Sequence, residues 1–131
     1  MEILDGKSVA QEILDSISKE ITDIKAQGRR VPQLDMILLG DDYGSVKYVG
    51  MKERTARQVG IEGKIHHLPA DVNTLDVVNL VDSLNKNPEV DGFMIQLPLP
   101  VHINTNLVLE SILPKKDVDD LTPTSLGKLF Q

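Results

Sequence analysis

Leu34-Asp-Met-Ile-Leu-Leu39, followed by Gly40, is the stretch that decides the fold of this chain. Its aliphatic residues form a short continuous run, which predicts a strand buried inside a sheet, with Asp35 as the one discordant residue. After a polar loop, Ser45 is the predicted N-cap of a helix that Gly60 can end. The stretch therefore predicts a strand, a loop and a helix in that order.

The same alternation continues on both sides of this unit. Before it, Ser8 and Gln11 form a capping box, and apolar residues at helical spacing run to Gly28. After it, we predict strands over 61–68 and 90–97, helices over 73–85 and 104–112, and a polar loop over 114–127. The helix that begins at Asn73 or Thr74 is predicted to pack through Leu75, Val78, Val81 and Leu84.

Strands separated by helices of this length favour a parallel sheet with helices on both faces. We therefore predict an α/β fold, a mostly parallel sheet sandwiched by helices in three layers, as a single domain over 1–131. The length of 131 residues, with 40% hydrophobic and 26% charged residues, suits one soluble globular domain.

Charge and composition exclude several classes of function. A formal net charge of −6 argues against nucleic acid or an anionic membrane as a partner, and no apolar run is long enough to span a bilayer. Zero cysteines exclude thiolate nucleophiles, and adjacent His66 and His67 on a strand point to opposite faces. We therefore assign no metal site, and we expect a cytoplasmic protein.

In folds of this kind, ligands bind beyond the carboxyl ends of the strands. The segments 40–52 and 96–100 fall there, and the Lys116-Asp-Val-Asp119 loop joins them if it folds back across that edge. Their convergence predicts a site, although each segment also has a purely structural interpretation. Gln96 could simply satisfy a backbone group, and Leu97-Pro-Leu-Pro100 could be only a chain turn in which either proline is cis.

Tyr48 and Lys52 lie four residues apart, so a helix would place an aromatic ring and an ammonium group on one face. This pattern also occurs in short-chain dehydrogenases, where the lysine assists a tyrosine base. Those proteins need a glycine-rich loop for a dinucleotide, whereas Gly40-Asp-Asp-Tyr-Gly44 places two acids where phosphates would bind. The dehydrogenase interpretation is therefore disfavoured.

A second family matches almost the entire chain through six motifs in order. They are Ile3-Leu-Asp-Gly-Lys7, Gly40-Asp-Asp with Ser45-x-x-Tyr48-Val-x-x-Lys52, Leu84-Asn85, Val90-Asp-Gly92, Gln96-Leu-Pro-Leu-Pro100 and Pro114-x-Lys-Asp-Val-Asp119. The chain resembles the folate-binding amino-terminal domain of bifunctional methylenetetrahydrofolate dehydrogenase/methenyltetrahydrofolate cyclohydrolases.

The resemblance implies roles for particular residues. It makes Lys52 the main acid/base group, Gln96 its hydrogen-bond partner and Tyr48 the ring that packs on the planar part of the folate, these three being the catalytic set. Asp119 would bind the pterin ring, and Ser45 would cap the helix beside the site. The substrate-binding set is Tyr48, Lys52, Gln96, Leu97, Pro98, Leu99 and Asp119.

The implied chemistry is one-carbon folate metabolism. A tetrahydrofolate derivative is the expected substrate and small-molecule partner, with NADP or NAD bound mainly by a second, Rossmann-type domain that we expect to be absent from this chain. The 131-residue chain would then lack dehydrogenase activity by itself. The full-length form is expected to be a homodimer.

The chain departs from the family pattern at a few positions. Asp120 stands where glycine is usual, which matters if this position requires a positive φ. Ser125 replaces a common asparagine, and Tyr43-Gly44 replaces a common Pro-Ala. Two other functions stay open at this point: a non-catalytic folate-binding module, and an anion-binding domain that uses the amino terminus of the Ser45 helix.

Overall fold

The computed structural model describes residues 5–129, so Ile3 and Leu4 of the first motif lie outside the described residues. The elements, in chain order, are α1 (Gly6–Ala26), β1 (Leu34–Leu39), α2 (Tyr43–Gln58), β2 (Ile65–Leu68), α3 (Thr74–Lys86), β3 (Gly92–Ile95), α4 (Thr105–Glu110) and α5 (Pro123–Lys128). Among the described helices, none is both long and apolar enough to cross a membrane.

The three strands form one parallel sheet in the order β2-β1-β3. The deciding stretch is the central strand, with Ile37 opposite His66 on one side and Ile95 on the other. The chain adds β2 on one side of β1 and β3 on the other, so the connections that follow β1 and β3 leave the carboxyl edge in opposite directions. The predicted parallel sheet is confirmed.

Alternating side chains of β1 and β3 pack on opposite faces. Ile37 and Phe93 belong to the larger core, which also includes residues of α3 and α4. Met36 and Met94 belong to a smaller core with Val49 of α2. The sheet therefore lies between helices, and the three-layer prediction is confirmed.

Asp35, the discordant residue of the central strand, is 1% exposed and fully engaged. Its carboxylate accepts from the Gln33 side chain at 2.9 Å and from the backbone N–H of Lys64 at 3.1 Å. The Nε2 atom of His66 lies 2.7 Å from its second oxygen. A buried carboxylate with three partners explains why a polar residue occurs inside this strand.

Both predicted serine caps are wrong, for the same reason. Asp5 caps α1 by accepting from the N–H groups of Lys7 and Ser8, and Asp42 caps α2 by accepting from Ser45 N–H at 2.9 Å. Each helix therefore starts before its serine, because an aspartate upstream provides a stronger, charged acceptor. Ser45 is a buried residue of the first turn of α2.

The carboxyl ends of α1 and α2 agree with the prediction. Gly28 and Gly60 both have positive φ, +69° and +91°, just beyond the helix ends. At Gly60, a Cβ atom would lie 2.8 Å from the Cγ2 atom of Ile21, the one buried residue among those of α1. Glycine is thus required there for both conformation and packing.

Several predicted boundaries are wrong. The strand predicted over 61–68 is reduced to β2. Before it, Glu62 forms only an isolated bridge with Gln33, and Gly63 lies so close to the Leu34 carbonyl that a Cβ atom would come within 1.8 Å. The strand predicted over 90–97 is reduced to β3. The segment predicted as a polar loop contains α5, whose N-cap is Thr122. On α3, Leu75 is 67% exposed, and Val77 rather than Leu75 is buried in the core.

Candidate active site

A cleft of about 500 Å³ lies beside the smaller core, between α1, α2 and the sheet. Its lining is mainly apolar, and its polar members are Lys52, Thr55 and Asp119. The apolar members are Leu14, Ile17, Leu34, Met51, Ala56, Val59, Ile61, Met94 and Val118. A mostly apolar hollow with few polar groups is typical of a small-molecule site.

Lys52 projects from α2 into this cleft and is half-buried. Its Nζ atom lies 3.4 Å from the Sδ atom of Met94 on the neighbouring strand. Thr55 and Ala56, three and four residues further on, line the same cleft because they share its helix face. Lys52 therefore has an apolar setting with a weak acceptor as its intramolecular partner.

Asp119 reaches the same cleft from a segment that runs beside β3. Asp117 pairs in parallel with Phe93, so this part of the segment lies along the outer edge of that strand. Phe93 N–H donates to the Lys116 carbonyl at 3.0 Å, which fixes the segment alongside the strand. Asp119 and Lys52 are nevertheless brought to one cleft.

The turn after Asp119 is held by the carboxylate of Asp117. This group accepts from the backbone N–H groups of Leu121 at 3.2 Å and Thr122 at 2.9 Å. Burial by itself raises the pKa of Asp117. These backbone bonds, together with side-chain bonds from Thr122 and Ser125, lower the pKa by more than burial raises it, so the net shift is downward. Asp120 has a φ of +55°, the conformation for which the family glycine would be suited.

Tyr48 lies at a neighbouring hollow rather than inside the main cleft. Its residue is 59% exposed, and the hollow of about 270 Å³ is lined by Lys47, Tyr48 and Met51. Met51 lines both hollows, so it lies where the Tyr48 surface and the Lys52 cleft adjoin. The shared helix face predicted for Tyr48 and Lys52 thus serves two adjoining recesses.

Gln96 directly follows β3, at the carboxyl edge of the sheet as predicted. Its backbone N–H donates to the Ile37 carbonyl at 2.9 Å, and its side-chain Nε2 donates to the Leu97 carbonyl at 2.7 Å. Its Oε1 atom is buried and has no hydrogen-bond partner, and no bond joins it to Lys52 among the described residues. The Leu97-Pro98 peptide bond is cis, so one of the two prolines is cis as the sequence allowed.

The amino terminus of α2 is already occupied by an anion of the protein itself. Hydrogen bonds to the carboxylate lower the pKa of Asp42, the largest effect coming from the Ser45 backbone N–H and the next from the Ser45 side chain. A second anion there would meet a like charge, which disfavours the anion-binding alternative. Over residues 5–129, no group of three or more histidine, aspartate and glutamate side chains is placed to hold a metal ion.

Sequence reasoning missed the α1 wall and the floor of the cleft. Leu14 and Ile17 of α1 and Met94 of β3 line it. Helical spacing from Lys52 could have identified Thr55. The sequence of α1 or of α2 alone does not show that these two helices face each other across a gap. Leu97, Pro98 and Leu99 follow Gln96 along the chain and continue from β3.

The fold is that of catalytic domains found in enzymes of folate metabolism. The chain belongs to the tetrahydrofolate dehydrogenase/cyclohydrolase family: residues 4–119 match the family model described as "Tetrahydrofolate dehydrogenase/cyclohydrolase, catalytic domain". The resemblance inferred from the six motifs is confirmed.

Curated relatives include "Bifunctional protein FolD" of a Nitratiruptor species, 44% identical over 131 residues, which are 100% of this chain and 46% of the relative. The protein of the same description from Lactobacillus delbrueckii subsp. bulgaricus is 46% identical, with 99% and 46% covered. The chain therefore spans less than half the length of these relatives.

Solved structures agree. The bifunctional FolD methylenetetrahydrofolate dehydrogenase/cyclohydrolase of Campylobacter jejuni superposes with a TM-score of 0.94 at 35% identity, over 98% of this chain and 45% of that one. The Trypanosoma brucei methylenetetrahydrofolate dehydrogenase-cyclohydrolase (FolD), complexed with NADP cofactor and inhibitor, gives 0.92 at 32% identity, over 98% and 43%.

Proposed function

We propose that this chain forms the folate-binding part of a bifunctional methylenetetrahydrofolate dehydrogenase/methenyltetrahydrofolate cyclohydrolase. One observation carries the proposal: Lys52 and Asp119, from separate elements, line one apolar cleft. Its volume of about 500 Å³ suits the bicyclic ring of a folate. The relatives of solved structure are methylenetetrahydrofolate dehydrogenase/cyclohydrolases, which supports the same substrate class.

In this proposal the substrate lies across both hollows. The Asp119 carboxylate accepts from the amino and ring N–H groups of the pterin, and Tyr48 offers a flat apolar face to the planar part of the folate. We propose that Leu97, Pro98 and Leu99 also contact the ligand from the end of β3; none of them lines either hollow, and Leu99 packs partly against the larger core. Met51, which lines both hollows, is positioned to lie against the middle of the molecule.

The proposed reaction has two steps. 5,10-methylenetetrahydrofolate loses a hydride to NADP or NAD and becomes the 5,10-methenyl form. Water then adds to the methenyl carbon, one carbon–nitrogen bond breaks, a proton is released, and 10-formyltetrahydrofolate results. The second step needs a group that moves a proton beside that carbon.

Lys52 is the residue that we assign to this proton transfer. Its ammonium group lies in an apolar cleft against a sulfur atom, so it is free to bond the reacting ligand instead. The unpartnered Oε1 atom of Gln96 is a ready acceptor that can fix Lys52 once ligand is bound. Tyr48 completes the catalytic set by holding the ring system in place.

The described residues do not fit a dinucleotide. No glycine-rich loop follows β1, and the carboxylate of Asp42 occupies the helix amino terminus that would face a phosphate. We therefore assign NADP or NAD to a second, Rossmann-type domain and propose that the 131-residue chain alone does not catalyse the dehydrogenation. We further propose that the full-length form is a cytoplasmic homodimer.

Lys52→Ala tests this function, with Lys86→Ala on α3 as the matched control. In the protein that joins this chain to its dinucleotide domain, hydrolysis of 5,10-methenyltetrahydrofolate is followed by its absorbance. We expect Lys52→Ala to lose roughly a hundredfold or more in rate and the control to lose nothing. Folate binding by calorimetry should survive Lys52→Ala, and full activity of that variant would reject Lys52 as the proton-transfer group. A parent protein that binds folate without hydrolysing the methenyl form would instead indicate a non-catalytic folate-binding module.

A further inference from the structure

Lys116 is a buried cation without a carboxylate partner. It is 8% exposed, and its Nζ atom donates to the carbonyls of Leu84 and Asn87, both at 2.7 Å. No ion pair within 4.0 Å involves it among residues 5–129. Burial, followed by repulsion from Lys115, lowers the pKa of Lys116, and attraction to Asp91 opposes the shift.

The two carbonyls belong to the carboxyl end of α3, which lacks the usual termination. Its C-cap, Asn87, is extended with φ −75° and ψ 115°, and Pro88 follows, so no left-handed residue folds the chain back onto the last carbonyls. A cation is favoured at this end of a helix dipole. The Leu84 carbonyl also accepts from Asn87 N–H, and the Asn87 carbonyl from Val90 N–H, both at 3.3 Å. Lys116 thus adds a second, shorter bond to each carbonyl from about thirty residues away in sequence.

The backbone around Lys116 is held as firmly as its side chain. Its N–H donates to the Leu113 carbonyl at 2.8 Å, and its carbonyl accepts from Phe93 N–H at 3.0 Å. Two residues on, Val118 packs directly over Gly92, where a Cβ atom would lie 2.4 Å from Cγ1 of the valine. The segment that leads to Asp119 is thus fixed against both α3 and β3.

Asp119 itself is exposed, and its carboxylate makes no hydrogen bond with another described residue. Its position over the cleft must therefore come from the segment before it and from the turn that Asp117 holds after it. Desolvating a lysine charge is costly where a neutral donor would also serve. A role of the Lys116 bonds in placing Asp119, in addition to completing the end of α3, would account for this desolvation cost.

We propose that Lys116 is a positioning residue for ligand recognition: by anchoring its segment to the carboxyl end of α3, it holds the Asp119 carboxylate over the cleft. The proposal rests on the folate function proposed above. Lys116 does not touch the ligand; its effect on binding passes entirely through Asp119. Removing Asp119 should therefore make Lys116 irrelevant to affinity.

A double-mutant cycle on the full 131-residue chain tests this proposal. The variants are Lys116→Met, Asp119→Asn and both together, with Lys115→Met, an exposed neighbour, as control. Affinity for 5-formyltetrahydrofolate is measured by calorimetry well below each melting temperature. We expect Lys116→Met to weaken binding roughly tenfold, to weaken it no further when Asp119→Asn is present, and Lys115→Met to change nothing.

A purely structural role gives a different result. A lower melting temperature with unchanged affinity for Lys116→Met, or additive losses in the double variant, would overturn the proposal. If Lys116→Met does not fold, Lys116→Arg replaces it, because arginine keeps a cation and hydrogen-bond donors. This variant should bind within about threefold of the parent. A larger loss of affinity in Lys116→Arg than in Asp119→Asn would contradict the proposal.

Hydrogen exchange of the ligand-free chain separates this proposal from the proposed function. Lys116→Met should speed exchange at the N–H groups of Leu121 and Thr122, and Lys115→Met should not. Faster exchange without any folate binding by the parent chain would reject the folate function while upholding the anchor. Unchanged exchange would reject the anchor itself.

Discussion

The Nζ atom of Lys52 lies 3.4 Å from the Sδ atom of Met94, across the floor of the cleft between α2 and β3. A thioether is a weak hydrogen-bond acceptor, so this contact compensates little of the hydration that a half-buried ammonium group loses. The group proposed to transfer the proton is thus held where it costs stability, which is a common property of active sites.

Lys52→Met should therefore make the chain more stable while removing the proposed proton-transfer group. The methionine side chain fills similar space beside Met94 without a charge to desolvate, and we expect a gain of about 0.5–1 kcal/mol in the free energy of unfolding. Urea unfolding of the chain measures it, with Lys47→Met on the outer surface as control. A clear loss of stability in Lys52→Met alone would show that the ammonium group is well compensated.

Asp35→Ala should be among the most destabilising single changes in this chain. It removes a 1% exposed carboxylate and leaves the Lys64 N–H, the Gln33 amide and the His66 ring without their acceptor. We expect a loss of about 3 kcal/mol in the free energy of unfolding, measured by thermal or urea unfolding. Asp71→Ala, at an exposed position in a turn, should stay within about 0.5 kcal/mol of the parent.

Asp117→Asn should flatten the acid side of the stability profile. The pKa of Asp117 is lowered by folding, so its contribution is present above its unfolded value of 3.8 and is lost as pH falls through the lower folded value. At neutral pH we expect the variant to be less stable by about 1 kcal/mol. Unfolding curves from pH 7 down to pH 2 measure the difference, and a gap that stays constant across that range would contradict the assignment.

Asp120→Gly should strengthen folate binding by a few fold. The residue has a φ of +55°, which glycine adopts without strain, and its carboxylate adds a negative charge next to Asp119. Calorimetry with a tetrahydrofolate derivative measures the change. Asp120→Asn, which removes the charge but keeps a side chain, separates the two causes, and equal affinities in all three proteins would mean that the position is indifferent.

The sheet could be predicted from sequence because its signals are local and repeated. The run from Leu34 to Leu39 matches β1 residue for residue, and glycines with positive φ end α1 and α2 where expected. The helix starts could not be fixed to the residue, because more than one side chain could serve as the N-cap, and Asp42 rather than Ser45 does so. That choice is decided by geometry that spacing does not contain.

The site divides in the same way. Gln96 lies at the carboxyl edge because it follows a strand of a parallel sheet, and the alternation of elements already indicates such a sheet. The route of the Asp119 segment is not indicated in this way, since it depends on the pairing of Asp117 with Phe93 and on the bond between Lys116 and α3. Contacts between residues this far apart in sequence leave no periodic trace, so only the folded chain reveals them.

The bonds from Lys116 to the carboxyl end of α3 have a consequence for the evolution of such a protein. α3 packs in the larger core, on the face of the sheet opposite the cleft, yet the lysine that closes it belongs to the segment carrying Asp119. A mutation near Asn87 that shifts these carbonyls would thus alter ligand preference from behind the sheet, without touching the pocket wall. Selection on substrate affinity can therefore act through a helix that never meets the substrate.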